Sequence, residues 1–286
     1  MSKLNVFPSS KYLDFSNPQK NSNSSNKNTE WVHKWDYKTH FLNKQNNLKL
    51  YKQSKYDFEL TINVGKTKAG RMLLYWAAAS SNSPVLKTVD KAYDKFQNHG
   101  VSKIDKNGNV KIYINCPQNY KAMPLNKRVY HSYYRHVHFV YSNKENTKWL
   151  SQIYTKLLLC NYDFNHTMKS INTGLSVIID SLPCNSYAMD HIPNSFNLNA
   201  NEVKKATYKD LEKWFSFVIN HNYPKLDSLI KSKKLKINEI PIITYSSNSK
   251  CMLSQQTSQE LMRKGFINVV EYGGGMADFY KQMKKN

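Results

Sequence analysis

The second half of this 286-residue chain constrains its architecture most tightly, because from about Asn165 onward short apolar strands alternate with amphipathic helices. LSVIID runs into a loop and then into the helical stretch NEVKKATYKDLEKWFSFVIN. IPIITY leads through SSNSKC into CMLSQQTSQELMRKG, and INVVEY, a Gly-Gly-Gly turn and MADFYKQMKK complete the pattern. Parallel strands need a crossover between them, and a helix is the usual one. The alternation therefore predicts an α/β domain over residues 165–286, with a mainly parallel sheet covered on both faces. Gly265 after Arg263-Lys264 marks a helix stop, since glycine adopts the left-handed C-cap and basic side chains suit the last carbonyls.

Residues 51–160 have a different texture. FELTINV, RMLLYWAAA, NVKIYINC, RHVHFVY and KWLSQIYT are short alternating or apolar runs, separated by turns such as Lys106-Asn107-Gly108. Only TVDKAYDKF reads as helical, so an all-β sandwich is expected for the first domain. Residues 1–50 are rich in Ser, Asn, Lys and Pro and carry too few apolar side chains to offset the entropy of ordering. They are expected to form a flexible arm, with Trp31 and Trp35 at helical spacing docking it onto the sandwich.

The formal net charge is +22, from 42 Lys and Arg against 20 Asp and Glu. Such a surplus attracts polyanions, whether nucleic acid or acidic protein. The lysines are scattered among Asn and Ser, and no zinc-finger, RNP-like or helix-turn-helix pattern appears. The charge thus points to general polyanion attraction by a basic binding or structural protein, as beside a packed genome in a virion, and not to a sequence reader. No apolar run is long enough to span a bilayer, and MSKLNVFPSS lacks the leader pattern. Cys116, Cys160, Cys184 and Cys251 form no CxxC pair or zinc spacing, so reduced thiols in a soluble intracellular protein are expected.

The C-terminal half resembles a rhodanese-like domain. The features that carry the likeness are VIID ending at Asp180, then YAMDHIPNSFN with Asp190, His191, Ile192, Pro193 and Asn197, and then IITYSSNSKCMLSQQTSQELMRKGFINVVEYGGGMADFYK. The resemblance implies a catalytic cysteine at the strand-to-helix turn, where N–H groups stabilise a thiolate that carries sulfane sulfur. Ser246 stands at that position, and Leu182 stands where the family usually has an arginine. A serine forms no persulfide, so thiosulfate sulfurtransferase activity through position 246 is not expected. What the resemblance leaves is an anion-binding loop of Ser246, Ser247, Asn248, Ser249, Lys250 and Cys251, with Ser254 beyond. Cys251, near the following helix start, is the alternative nucleophile, and Cys184 in the opposite loop is a conceivable redox partner for it.

The first domain resembles the transthyretin-like sandwich of intradiol ring-cleavage dioxygenases. LYWAAA with Trp76, KAYDKF with Tyr93, KIDKNGNVKIYINCPQNYKAMP with Tyr120, YRHVHF with His136 and His138, and WLSQIYT with Gln152 follow that family's serial order. By this resemblance Tyr93, Tyr120, His136 and His138 are the ligands of a ferric ion, the hard-to-borderline donor set that Fe(III) favours. His136 and His138 alternate on one strand, so their rings emerge on the same face. Arg135 directly precedes His136, where the family has its arginine three residues earlier, and His99 and His131 are alternative ligands.

Overall fold

A computed structural model describes residues 48–123 and 129–285. The expected arm, with Trp31 and Trp35, lies outside these residues except for its last three. The described residues divide into two compact bodies, one of residues 48–82 and 86–158, the other of 83–85 and 159–285.

The first body contains the strands β1 (Phe58–Asn63), β2 (Met72–Ala77) and β3 (Lys87–Thr88), followed by a short helix, α1 (Val89–Tyr93). Then come β4 (His99–Lys103), β5 (Asn109–Ile114), β6 (Tyr120–Ala122), β7 (His131–Tyr133), β8 (His136–Tyr141) and β9 (Tyr154–Leu157). They form a β1-β5 pair, a four-stranded sheet in the order β4-β2-β8-β9, and a three-stranded sheet in the order β3-β6-β7. Asp105 shapes the expected turn before β5, accepting from the N–H groups of Asn107 and Asn109, both at 2.8 Å. The last strand is shorter than WLSQIYT suggests. Asn143 draws Thr147 and Lys148 into a turn through their N–H groups (2.8 and 3.1 Å), a single bridge joins Ser142 and Trp149, and the strand itself begins only at Tyr154.

All six residues of β2 and all six of β8 are buried, so both faces of this sheet are covered. Strand alternation assigns the faces. Leu73, Tyr75 and Ala77 join Val137, Phe139 and Tyr141 in one apolar cluster with Ile62, Val110, Ile112 and Ile114. Trp76, His136 and His138 therefore belong to the reverse face, and Trp76 is the register partner of His138.

The second body contains α2 (Phe164–Thr173), β10 (Val177–Asp180), α3 (Cys184–Met189), β11 (Ser195–Asn197), α4 (Ala200–Lys205) and α5 (Tyr208–Asn222). It continues with α6 (Pro224–Lys231), β12 (Ile242–Tyr245), α7 (Leu253–Arg263), β13 (Val269–Tyr272) and α8 (Gly275–Met283). The sheet runs β11-β10-β12-β13, every pair parallel, as the alternation predicts. The stretch NEVKKATYKDLEKWFSFVIN is two helices, not one. Ala206 is extended, and Thr207 with Asp210 builds a reciprocal capping box that starts α5 afresh. Among the described residues no helix is long and apolar enough to cross a membrane.

Candidate functional site

On the reverse face of the four-stranded sheet, four polar side chains from three separate segments meet. The Tyr120 hydroxyl lies 3.0 Å from His136 Nε2, and the Tyr93 hydroxyl lies 3.3 Å from the same atom. His138 Nε2 is 3.2 Å from His136 Nε2, and the two phenol oxygens are 3.4 Å apart. All four residues are at most 4% exposed. Three elements deliver them. Tyr93 ends α1, Tyr120 opens β6, and the two histidines take alternate positions on β8.

The histidine tautomers are set from behind. His136 Nδ1 is 2.6 Å from the Tyr134 carbonyl, an acceptor only, so Nδ1 carries the proton and Nε2 presents a lone pair to the cluster. His138 Nδ1 is 2.8 Å from Thr155 Oγ1. Metal-binding imidazoles are held in this way, with the second ring nitrogen hydrogen-bonded to the protein. One lone pair on His136 is shared among three polar neighbours, a number that favours a central cation over pairwise hydrogen bonds. Burial pushes both phenols upward, and a contact with the Tyr120 hydroxyl partly offsets the shift at Tyr93. Three contacts on His136 Nε2 and one between the phenol oxygens, all 3.0–3.4 Å, bring four hard-to-borderline donor atoms close together. The residues present fit the ferric ion that the sequence resemblance implies.

Among the described residues no group of three or more His, Cys, Asp or Glu gathers, so phenol and imidazole donors define this cluster. His99, an alternative ligand by sequence, is placed differently, with Nδ1 2.7 Å from the Phe96 carbonyl and its ring stacked on Tyr51. Thr155 and the Tyr134 carbonyl were not singled out from the sequence. The only signal for them is that Tyr134 lies two residues before His136 and Thr155 lies on β9, opposite His138.

In the second body, β10 and β12 are neighbours in register, Asp180 opposite Tyr245, so the loops after them leave the same edge of the sheet. Ser246 is 1% exposed. Its hydroxyl lies 3.2 Å from Ser254 Oγ and donates to the Cys251 carbonyl at 3.3 Å. The N–H groups of Lys250 and Cys251 turn inward to Asn248, each at 3.0 Å, so the loop holds fewer outward donors than the ring expected from Ser246 to Cys251. Asp180 is buried and accepts from the Leu182 N–H at 2.7 Å, and burial raises its carboxyl.

Cys184 and Cys251 carry free thiols, Cys184 exposed and Cys251 partly buried. Cys116 and Cys160 are not free thiols, which corrects the reduced state expected of all four cysteines. At Cys251 burial raises the thiol, but hydrogen bonds from the Ser246 hydroxyl, the Leu253 N–H, and the hydroxyl and N–H of Ser247 outweigh it. The thiol consequently lies below its ordinary value.

The family pattern described as Rhodanese-like domain matches residues 165–282. No curated protein sequence matches the chain. Similar solved structures include a human single-domain sulfurtransferase, TSTD1, at 14% identity, covering 43% of this chain and 96% of that one with a TM-score of 0.30. A Saccharomyces cerevisiae single-domain sulfurtransferase, RDL2, is 14% identical over 45% of this chain and 94% of its own, with a TM-score of 0.34. The BH2092 protein of Bacillus halodurans is 19% identical over 43% and 73%, with a TM-score of 0.31. With its parallel sheet, its strand-to-helix loop at Ser246 and the matching family pattern, the C-terminal half of this chain is a rhodanese-like domain.

Proposed function

We propose that the first body binds a ferric ion through Tyr93, Tyr120, His136 and His138 and acts as an intradiol-type dioxygenase on a catechol. The observation that carries this reading is the meeting of two phenol oxygens and two imidazole Nε2 atoms within 3.0–3.4 Å. The packing of β2 and β8 against the β1-β5 pair through one apolar cluster supports the sandwich to which the motif order belongs. Ferric iron, when bound, supplies a Lewis-acidic centre that takes up a catecholate and activates it toward dioxygen. The protein's part is to hold two anionic and two neutral donors in place. Tyr134 and Thr155 fix the imidazoles, and the buried surroundings limit access of water.

Two outcomes test this. Iron-loaded protein is expected to consume one dioxygen per catechol and release the ring-opened dicarboxylic acid; iron-loaded protein without oxygen uptake removes the dioxygenase assignment. Thr155→Val removes the partner of His138 while keeping its shape. The expected result is a loss of metal affinity of about 10- to 100-fold, measured by competition with a chelator.

A second reading concerns the rhodanese-like domain. Ser246 offers no thiolate, so we assign sulfur acceptance, where it occurs, to Cys251; the supporting observation is its place as a free, partly buried thiol in the loop between β12 and α7. The Cys251 thiolate would attack the outer sulfur of thiosulfate, forming a cysteine persulfide and releasing sulfite. Thiocyanate formation from thiosulfate and cyanide is then expected to vanish in Cys251→Ser. Absence of Cys251-dependent transfer in the unaltered chain leaves this domain as a binding module, whose basic chain, at +22, suits acidic partners.

A further inference from the structure

A cleft of about 620 Å³ opens on the first body, and none of the four proposed iron ligands lines it. Buried Val101 of β4 and Val110 of β5 supply part of its apolar wall. Lys111 and Tyr113 take the face of β5 opposite Val110, and Thr61 of β1 is the register partner of Lys111. Three lysines, Lys52, Lys103 and Lys111, line the cleft against one carboxylate, that of Asp105. Asp105 is turned to its own loop, accepting from the Asn107 and Asn109 N–H groups at 2.8 Å each. Lys111 is held by Glu59 at 2.5 Å. Lys52 Nζ lies 4.1 Å from the centre of the Tyr113 ring and 4.5 Å from that of Tyr56, a placement that favours its positive charge. Lys52 and Lys103 are exposed, so the cleft presents cationic groups to solvent.

Tyr51 makes this cleft more than a basic patch. Its backbone is fixed to the edge of β4, donating to the Val101 carbonyl at 3.1 Å and accepting from the Val101 N–H at 2.8 Å. Its ring stacks on His99, with centroids 4.7 Å apart and planes at 22°, yet the residue stays 44% exposed. The ring is therefore braced on one side and has surface left for a second planar group. A fixed aromatic ring beside exposed ammonium groups is the pairing that takes up single-stranded nucleic acid, the base on the ring and the phosphates on the lysines. A duplex keeps its bases stacked inside, and an acidic peptide brings carboxylates without a base to stack. The net charge of +22 adds a long-range attraction for a strand of phosphates.

We propose that the cleft binds single-stranded nucleic acid, with one base stacked on Tyr51 and the flanking phosphates paired with Lys52 and Lys103. Thr61, exposed on the cleft wall, offers its hydroxyl to the strand. Stacking accepts every base, so this site tolerates sequence, in keeping with a chain that carries no sequence-reading motif. The proposal is independent of iron binding and of sulfur transfer, because the cleft shares no residue with either site.

The test uses the full chain and a fluorescein-labelled oligothymidylate of about 12 nucleotides, long enough for a site of this kind. Fluorescence anisotropy gives the affinity over a series of salt concentrations. Tyr51→Ala is expected to weaken binding about tenfold and to leave the salt slope unchanged, because stacking releases no counterion. Tyr51→Trp is expected to restore the affinity. Lys103→Ala is expected to lower the slope by about 0.7, the share of one phosphate contact on a single strand. Lys103 is exposed, so its replacement probes the cleft even if Tyr51→Ala does not fold. Polyglutamate, a polyanion without bases, is expected to bind Tyr51→Ala as it binds the unaltered chain. The proposal is overturned if either alanine variant binds the oligonucleotide with affinity and slope unchanged, which would assign binding to general charge. An equal loss of polyglutamate binding in Tyr51→Ala also overturns it, pointing to an acidic protein partner or to an altered fold. So does an unaltered chain that does not bind the strand.

Discussion

Replacing His136 with alanine is expected to weaken ferric binding at least about a hundredfold, a larger loss than removing the Thr155 hydroxyl behind its neighbour. His136 Nε2 is the hub of the cluster, lying 3.3 Å from Tyr93, 3.0 Å from Tyr120 and 3.2 Å from His138. Without it both phenols lose their contact with an imidazole Nε2, and a ring whose tautomer is fixed by the Tyr134 carbonyl disappears. The substitution also opens a cavity on a fully buried strand, so circular dichroism must accompany the titration. His99→Ala supplies the contrast. That ring sits against Phe96 and Tyr51, and its loss is expected to leave ferric affinity unchanged. Equal losses in both variants would mean that His136 acts only through the fold.

The second large effect is expected at Gly275. Its φ is +60°, a conformation that side chains other than glycine rarely adopt, and a Cβ there would overlap the Ser246 carbonyl oxygen and approach Asn248 N to 2.9 Å. The Ser246 carbonyl is fixed by the Met276 N–H at 2.9 Å, and the Ser247 carbonyl by the Ala277 N–H at 2.9 Å. The start of α8 is thus moulded to the loop, and neither side can move away cheaply. Gly275→Ala is expected to destabilise the second body by roughly 3 kcal/mol, combining left-handed strain with a backbone clash. Denaturant unfolding measures this. A midpoint that does not change would mean the loop yields freely. Gly174, also left-handed at φ +64° but with open space around its Cβ position, isolates the strain alone, and alanine there is expected to cost about 1–2 kcal/mol.

These two sites were legible in the sequence to different degrees, for physical reasons. The parallel sheet could be read because buried strands such as VIID and IITY are largely apolar on both faces, and helices with one apolar face separate them. The order of Tyr93, Tyr120, His136 and His138 could be read as a motif, and strand period put both histidines on one face. The break between α4 and α5 was hidden, because one periodic stretch covers both helices and only the Thr207–Asp210 box ends the first. The partners Tyr134 and Thr155 were hidden for another reason. A carbonyl has no sequence signature, and a threonine on a strand is ordinary. Least visible was the tie from Ser246 to Glu271, which joins residues 25 positions apart through Ser254 and depends on how α7 lies against β13.

The proposed metal centre is tested most directly by titrating ferric ion into the full-length protein and following visible absorption. Tyrosinate bound to ferric iron is coloured, so the account predicts a visible band that saturates at one iron per chain. The band should weaken in Tyr93→Phe and in Tyr120→Phe and vanish in the double variant. A chain that stays colourless with excess iron, or a band unchanged when both tyrosines are replaced, would contradict it.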